Sequence, residues 1–220
     1  MIRAANVFKP DEVVVLGDFA DADTISAHTR TRAATHARLA DEVKPIRSLL
    51  SQLERLGATK LQYIMGNHEF RLERFIADKA PAFDELVTWD SLLHLSDNGW
   101  GITPYKRTYQ LGKLNITHDV GQAGLNAHRG AGQAFMGSAV IGHTHRMAYE
   151  VRGRIGRRPY VTAMFGWLGE PSEIDYVHEA KAREWVHGFG LGWHDTETGV
   201  VHLQPVPIVD GHACVLGQLV

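Results

Sequence analysis

Four short apolar runs each end in side chains of metal-ligand type. The run 12–17 (EVVVLG) leads into Asp18, with Asp21 three residues on. The run 61–65 (LQYIM) passes through Gly66 into Asn67, His68 and Glu69. The run 114–117 (LNIT) leads into His118 and Asp119, and the run 138–141 (SAVI) passes through Gly142 into His143, Thr144 and His145. Short continuous apolar runs of this kind fit strands buried on both faces of a parallel sheet. Open α/β sheets bind ligands just beyond the carboxyl ends of their strands, so four such ends in one domain can converge on one spot. Carboxylate and amide oxygens mixed with imidazole nitrogens suit Mn, Fe, Zn, Ni or Co, whereas an all-oxygen set would point to Mg or Ca and a thiolate set to structural zinc. Each motif alone has a plain structural reading. Gly-Asp is a turn, Asn-His a helix cap, and His-x-His on a strand a pair of rings on one face. Their ordered recurrence after strands is what points to a site.

The rest of the chain reads as layered α/β. Residues 33–56 carry apolar side chains at helical spacing (Ala40, Val43, Ile46, Leu49, Leu50, Leu53, Leu56) and stop at Gly57. Pro45 inside that stretch predicts a kink or a break. Residues 69–78 read as a helix stopped by Pro81, and residues 1–8 as the back half of a helix turning at Lys9-Pro10-Asp11. After residue 145 the pattern changes to short segments at 147–151, 160–164, 185–193 and 200–203, read as antiparallel strands. The expectation is one α/β domain over 1–220, with the motifs in 1–145 and a second sheet fed by antiparallel strands in 146–220.

Composition narrows the partners. The chain has 220 residues, 44% apolar and 22% charged, enough for an ordinary core. A net charge of −2 supplies no basic field for nucleic acid. A small phosphate ester or nucleotide stays open as substrate, because a bound cation supplies positive charge locally. The single cysteine, Cys214, excludes an internal disulfide. No apolar run approaches a membrane span and the first residues lack a signal-peptide pattern, so a cytoplasmic protein without a membrane partner is expected.

Taken in order, Gly17-Asp18-x-x-Asp21, Gly66-Asn67-His68-Glu69, the strand-end His118 and Gly142-His143-x-His145 resemble the calcineurin-like metallophosphoesterases over roughly residues 10–150. KPDEVVVLGDF and GNHEFRLERF look most like a small single-domain phage and bacterial branch. The resemblance implies a four-layer α/β/β/α sandwich with two divalent ions at the strand ends, Mn²⁺ first, with Zn²⁺, Fe²⁺, Ni²⁺ or Co²⁺ as alternatives. It implies hydrolysis of phosphate diesters, and also of monoesters, by a water that the cations activate. Carried over by residue, Asp18 bridges both ions, Asn67, His118 and His143 complete one site, and His145 belongs to the other. His68 faces the scissile phosphate as general acid, oriented by Asp21. Arg71 and Arg74 lie one turn apart after the motif. A solvated helix face is the favoured reading, and Arg71 is the substrate-binding candidate if one of them meets phosphate. Ala22 stands where the Ser/Thr phosphatases of the superfamily carry arginine, which disfavours that branch. Arg152, Arg154, Arg157 and Arg158 read as an exposed hairpin, and Trp100, Tyr105, Trp167 and Trp193 as core more readily than as pocket.

The pattern breaks at its start. The family opens with Asp-x-His on a first strand, and no such motif precedes Gly17. Three explanations compete: a truncated product, one firm and one weak metal site, or substitution by Asp210 and His212. An Asp-Gly hairpin is the favoured reading of the last segment. The expected ligand arithmetic is therefore a firm ion on Asp18, Asn67, His118 and His143 and a weaker one near Asp18 and His145. A missing edge strand also motivates a homo-oligomer. The rival readings are a metal-binding scaffold module on a decayed fold, and a nuclease.

Overall fold

The computed structural model describes residues 1–26, 38–170 and 184–220. The chain is mixed α/β, with several sheets and, among the described residues, five α-helices. It divides into two compact units, Ala4–Tyr105 and Lys106–Val220.

The first helix, α1 (Ile2–Phe8), ends as Lys9 turns left-handed at φ 52° and returns its N–H to the Ala5 carbonyl at 2.7 Å. β1 (Glu12–Val15) follows. α2 (Leu39–Glu54) starts where the Asp41 carboxylate accepts the Arg38 N–H, and it buries Val43, Ile46, Leu50 and Leu53 along one stripe. Of the kink or break expected at Pro45, the break does not occur: α2 is continuous through it. Pro45 lies on the exposed side while Val43 and Ile46 beside it are buried, so the apolar stripe holds the helix together across the lost hydrogen bond. Residues 33–37 of the expected helix lie outside the described residues.

β2 (Lys60–Ile64) is buried from Leu61 onward, as the middle strand of a parallel sheet must be. α3 (Phe70–Lys79) packs Leu72 and Ile76 inward, and α4 (Trp89–Leu93) buries Trp89 and Leu93 behind a Thr88–Ser91 capping box. β3 (Trp100–Thr103) completes the sheet in the order β1-β2-β3, all parallel. In sequence this strand is masked, because Gly99 and Gly101 look like loop. Gly101 leaves room for a neighbour: a Cβ there would meet Gln62 Oε1 at 2.6 Å and displace it. The buried Gln62 amide is in turn satisfied by Thr103 Oγ1 at 3.0 Å.

In the second unit β4 (Tyr109–Leu111) and β5 (Leu114–Thr117) form an antiparallel pair. α5 (Ala127–Phe135) then crosses to β6 (Ala139–Ile141), parallel to β5. α5 was also missed, since Gly130 and Gly132 weaken its helical signal. Gly132 lets the helix approach the sheet: a Cβ there would sit 2.5 Å from Thr162 Cγ2. The hairpin β7 (Met147–Arg154) and β8 (Arg157–Phe165) adds two strands, giving a five-stranded sheet ordered β4-β5-β6-β8-β7. The four arginines lie on this hairpin, as expected. β9 (Gly188–His194) pairs antiparallel with β10 (Val201–Pro207), and β11 (Cys214–Val215) with β12 (Gln218–Leu219). Antiparallel strands therefore do follow residue 145, but the strands that lead into His118 and His143 share their sheet and their unit. Among the described residues no helix is long and apolar enough to cross a membrane.

Replacing Pro45 by Ala restores the missing donor at an exposed position, offset in part by the looser unfolded chain. It should raise the unfolding free energy by about 1–2 kcal/mol in urea titrations. A loss of stability would mean that the ring itself is needed there.

Candidate metal-binding and catalytic site

The first unit arranges its candidate residues around Glu69, which is fully buried. Its Oε2 accepts the N–H groups of Asp18 and Gly66, each at 2.8 Å. Its Oε1 accepts Phe19 N–H at 2.8 Å, Ala20 N–H at 3.0 Å and the Tyr63 hydroxyl at 2.9 Å. One carboxylate thus ties the loop after β1 to the loop after β2. Burial, then the charge of Glu69, pushes the Tyr63 phenol well above its ordinary range, so it remains a donor. Trp89 Nε1 donates to the Glu69 carbonyl at 2.6 Å and fixes the backbone as well.

This clasp sets the candidate residues. Gly17 and Asp18 take φ 86° and 52°, turning the chain sharply off β1. Asp18 Oδ1 accepts the His68 N–H at 2.9 Å. A Cβ on Gly66 would lie 2.2 Å from that oxygen, so only glycine fits. Asn67 is partly buried between them in sequence.

His68 Nδ1 pairs with Asp21 Oδ1 at 2.5 Å, and its Nε2 lies 3.9 Å from Asp18 Oδ2. Burial works to lower the His68 pKa, but the Asp21 hydrogen bond and the Asp18 charge outweigh it and leave it raised. Burial likewise works to raise Asp21, and the bond to His68 outweighs it, leaving Asp21 lowered. Arg71 does not lie on a solvated helix face as expected. Its side chain is 14% exposed and reaches back to the loop, where Nη1 donates to the Asp21 carbonyl and to Asp23 Oδ1, both at 2.7 Å. The two carboxylate-bearing residues draw it off the helix surface, while Arg74 stays exposed. Arg71 Nη2 sits 3.1 Å from His68 Nε2. A guanidinium only donates, so that contact requires an unprotonated Nε2, with the ring proton on Nδ1 toward Asp21. Asp23 was not anticipated. Burial, then the neighbouring Asp21, raises its pKa, against the pull of Arg71.

The second unit carries candidate histidines of its own. His118 is 1% exposed, and its carbonyl accepts Gly142 N–H at 2.9 Å, joining the ends of β5 and β6. The His118 and His143 rings meet edge to face with centroids 5.3 Å apart, and each offers a nitrogen within 4.8 Å of the other. His143 and His145 are not on a strand: β6 ends at Ile141, and the two take φ 62° and 57°. Strand alternation therefore does not set their rings. His145 stacks on Trp167 at 5.3 Å and meets Trp185 edge-on at 4.3 Å, in a group that includes His187 stacked on Trp167 at 5.2 Å. Trp167 thus contacts a candidate residue, Trp100 is buried core, and Trp193 is largely exposed. Between the histidines, Thr144 is buried, with its hydroxyl 3.0 Å from Met164 Sδ.

Asp210 and Gly211 take φ 50° and 77°, and Val209 and His212 exchange both backbone hydrogen bonds at 2.9 Å. This is the two-residue hairpin that Asp-Gly favours, and it leaves Asp210 and His212 exposed.

No family model matches the chain, and no solved structure matches it at a significant level. It is 29% identical to the Gene 54 protein of Mycobacterium phage D29 over 233 aligned positions, which span 96% of this chain and 87% of that protein.

Glu69→Gln should cost roughly 3–5 kcal/mol in chemical denaturation, because an amide nitrogen would face two of the buried donors. A loss under 1 kcal/mol would refute the clasp. The His68–Asp21 pair has a defined pH window. Asp21 is lowered, so its contribution appears above the ordinary carboxylate range. His68 is raised, so the pair's stabilisation is fully present below about pH 6.5 and is lost as pH rises through the raised folded value. In metal-free protein the stability gap between wild type and Asp21→Asn should be widest between about pH 4.5 and 6.5 and close above it. A gap that widens with pH would contradict this assignment.

Proposed function

We propose that this chain is a cytoplasmic, metal-dependent phosphoesterase of the calcineurin-like kind, hydrolysing phosphodiesters and also monoesters of small molecules or nucleotides. The observation that carries the reading is the imidazole of His68, held through Nδ1 by Asp21 with its Nε2 turned toward Asp18. Metal ligands beside an oriented, pKa-raised histidine are what phosphoester hydrolysis needs and what a scaffold has no use for. In this reading the fold is the four-layer α/β/β/α sandwich of that family.

The donor chemistry fits a divalent ion. His118 and His143 each offer a nitrogen within 4.8 Å of the other, and imidazoles so placed would suit an ion of this kind. We assign the firm site to Asp18, Asn67, His118 and His143. We assign a weaker site to Asp18 and His145, the latter braced by its stack on Trp167. When bound, the metal supplies Lewis-acid activation of water and neutralises phosphoryl oxygens, a role Mn²⁺ fills well.

The chain's own residues do the rest. Arg71, anchored through Nη1 by Asp23, offers Nη2 to a phosphoryl oxygen. That movement frees His68 Nε2, which takes a proton and delivers it to the departing alkoxide. Asp21 holds the ring in register and stabilises its charged form. Asp18 both ligates and, through Oδ1, holds the His68 backbone in place.

The full chain with Mn²⁺ should hydrolyse bis-p-nitrophenyl phosphate. His68→Ala should lower kcat by ~10²–10⁴-fold while leaving metal content unchanged. His118→Ala should instead release the metal. Metal analysis should find close to one firmly held ion per chain. Well-folded protein inactive with every divalent ion would sink the enzymatic reading in favour of a scaffold. Degradation of single-stranded DNA in preference to small diesters would move it to a nuclease.

A further inference from the structure

The five-stranded sheet ends in β7, and among the described residues no strand pairs with the outer edge of β7. The strand is long, eight residues, and contains neither lysine nor proline. Tyr149 and Val151 share one face and are 43% and 55% exposed. Glu150 and Arg152 share the other, joined by an ion pair at 3.3 Å, with Arg129 Nε donating to Glu150 at 2.9 Å. A long edge with exposed apolar side chains is a template for another strand, and proteins normally blunt or cover it.

The charge pattern identifies the occupant. A strand pairing antiparallel with its own copy about a two-fold sets each residue opposite the one equally far beyond the axis. An axis at Glu150 or at Arg152 sets that charge against itself. An axis at Gly153 sets Arg152 against Arg154. An axis at Tyr149 leaves Glu150 facing Ala148. Only an axis at Val151 sets Glu150 opposite Arg152 of the second copy, twice, with no like charges opposed. It also stacks Val151 on Val151 and lays the Tyr149 ring over Gly153, where a Cβ would meet nothing within 4 Å. An aromatic side chain over an edge glycine is a favourable cross-strand pair. The irregularity between Arg152 and Arg154 ends the flat stretch there.

We propose that β7 is a homodimer interface, two copies of this chain pairing antiparallel through β7 about a two-fold axis at Val151. The pairing uses both edges, so it closes at two. It does not depend on the chemistry proposed above.

The test uses sedimentation of the full chain, with circular dichroism to confirm that each variant is folded. Wild type should be a dimer at micromolar concentration. Arg152→Glu opposes glutamates twice and should weaken the dimer at least about tenfold. Adding Glu150→Arg to it exchanges the charges and should restore the dimer. In a Cys214→Ser background, Val151→Cys should cross-link under mild oxidation and Tyr149→Cys should not. A wild-type monomer at high micromolar concentration overturns the proposal. So does a dimer that Arg152→Glu leaves intact, or one that Val151→Cys fails to cross-link.

Discussion

Five hydrogen bonds converge on the buried Glu69 carboxylate, four from backbone N–H groups and one from Tyr63. Burying a charge costs several kcal/mol in effective terms. Five donors, at about 1.5–3 kcal/mol for each bond to a charged group, more than offset that cost. The balance has a geometric consequence. The loops after β1 and β2 cannot shift independently, because both hang on the same two oxygens. Asp18 therefore sits on Gly66, the His68 amide is delivered to Asp18, and α3 leaves at an angle that sends Arg71 back toward Asp21 and Asp23. Tyr63 completes the arrangement from the middle of the sheet. It donates upward to Glu69 while its ring packs edge to face against Phe19 and Trp100.

What the sequence made legible follows from this. β1, β2, β5 and β6 read as strands because burial on both faces leaves no polar alternation to confuse them. Gly66 to Glu69 stood out in sequence as one motif, but the clasp within it, a glutamate reaching back to an amide three residues earlier, did not. β3 and α5 were hidden by the glycines that let them pack, Gly101 against Gln62 and Gly132 against Thr162. Local propensity counts those glycines against an element, and close tertiary packing makes use of them. Pro45 is the reverse case, a residue that propensity reads as a break and burial overrides. Arg71 could not be placed from helical spacing alone, since what turns it is Asp23, distant in sequence and adjacent in space.

The two histidines after β6 lie beyond the end of the strand. On a strand, His143 and His145 would share a face. Instead each takes a left-handed backbone, a conformation that costs a non-glycine residue about 1 kcal/mol or more and that concentrates at functional turns. The distortion separates them. His143 turns to His118, and His145 turns into the tryptophans. One ring thus has the nitrogen of a second imidazole within 4.8 Å, while the other is braced by apolar surface. That asymmetry, set by backbone torsion, supports the proposal of two sites of unequal strength more directly than the count of missing ligands does.

The charges around His68 carry the last step. Asp21 and Asp18 favour its protonated form, and Arg71 opposes it by donating to the nitrogen that would hold the proton. A cation and a protonated imidazole cannot share a 3.1 Å contact, so Arg71 and the proton compete for Nε2. An anion that draws Nη2 away removes the competitor and adds a negative charge beside the ring, and both changes raise the affinity of Nε2 for a proton. By linkage the reverse holds equally: protonating His68 releases Arg71 toward the anion. In the proposed reaction, phosphate arrival and acid loading are then one event. Asp23 is the element that makes the exchange local, because it anchors Nη1 while Nη2 changes partners. Without that anchor the guanidinium would be free to follow the anion outward, and the imidazole would gain its proton with nothing aligned to receive it.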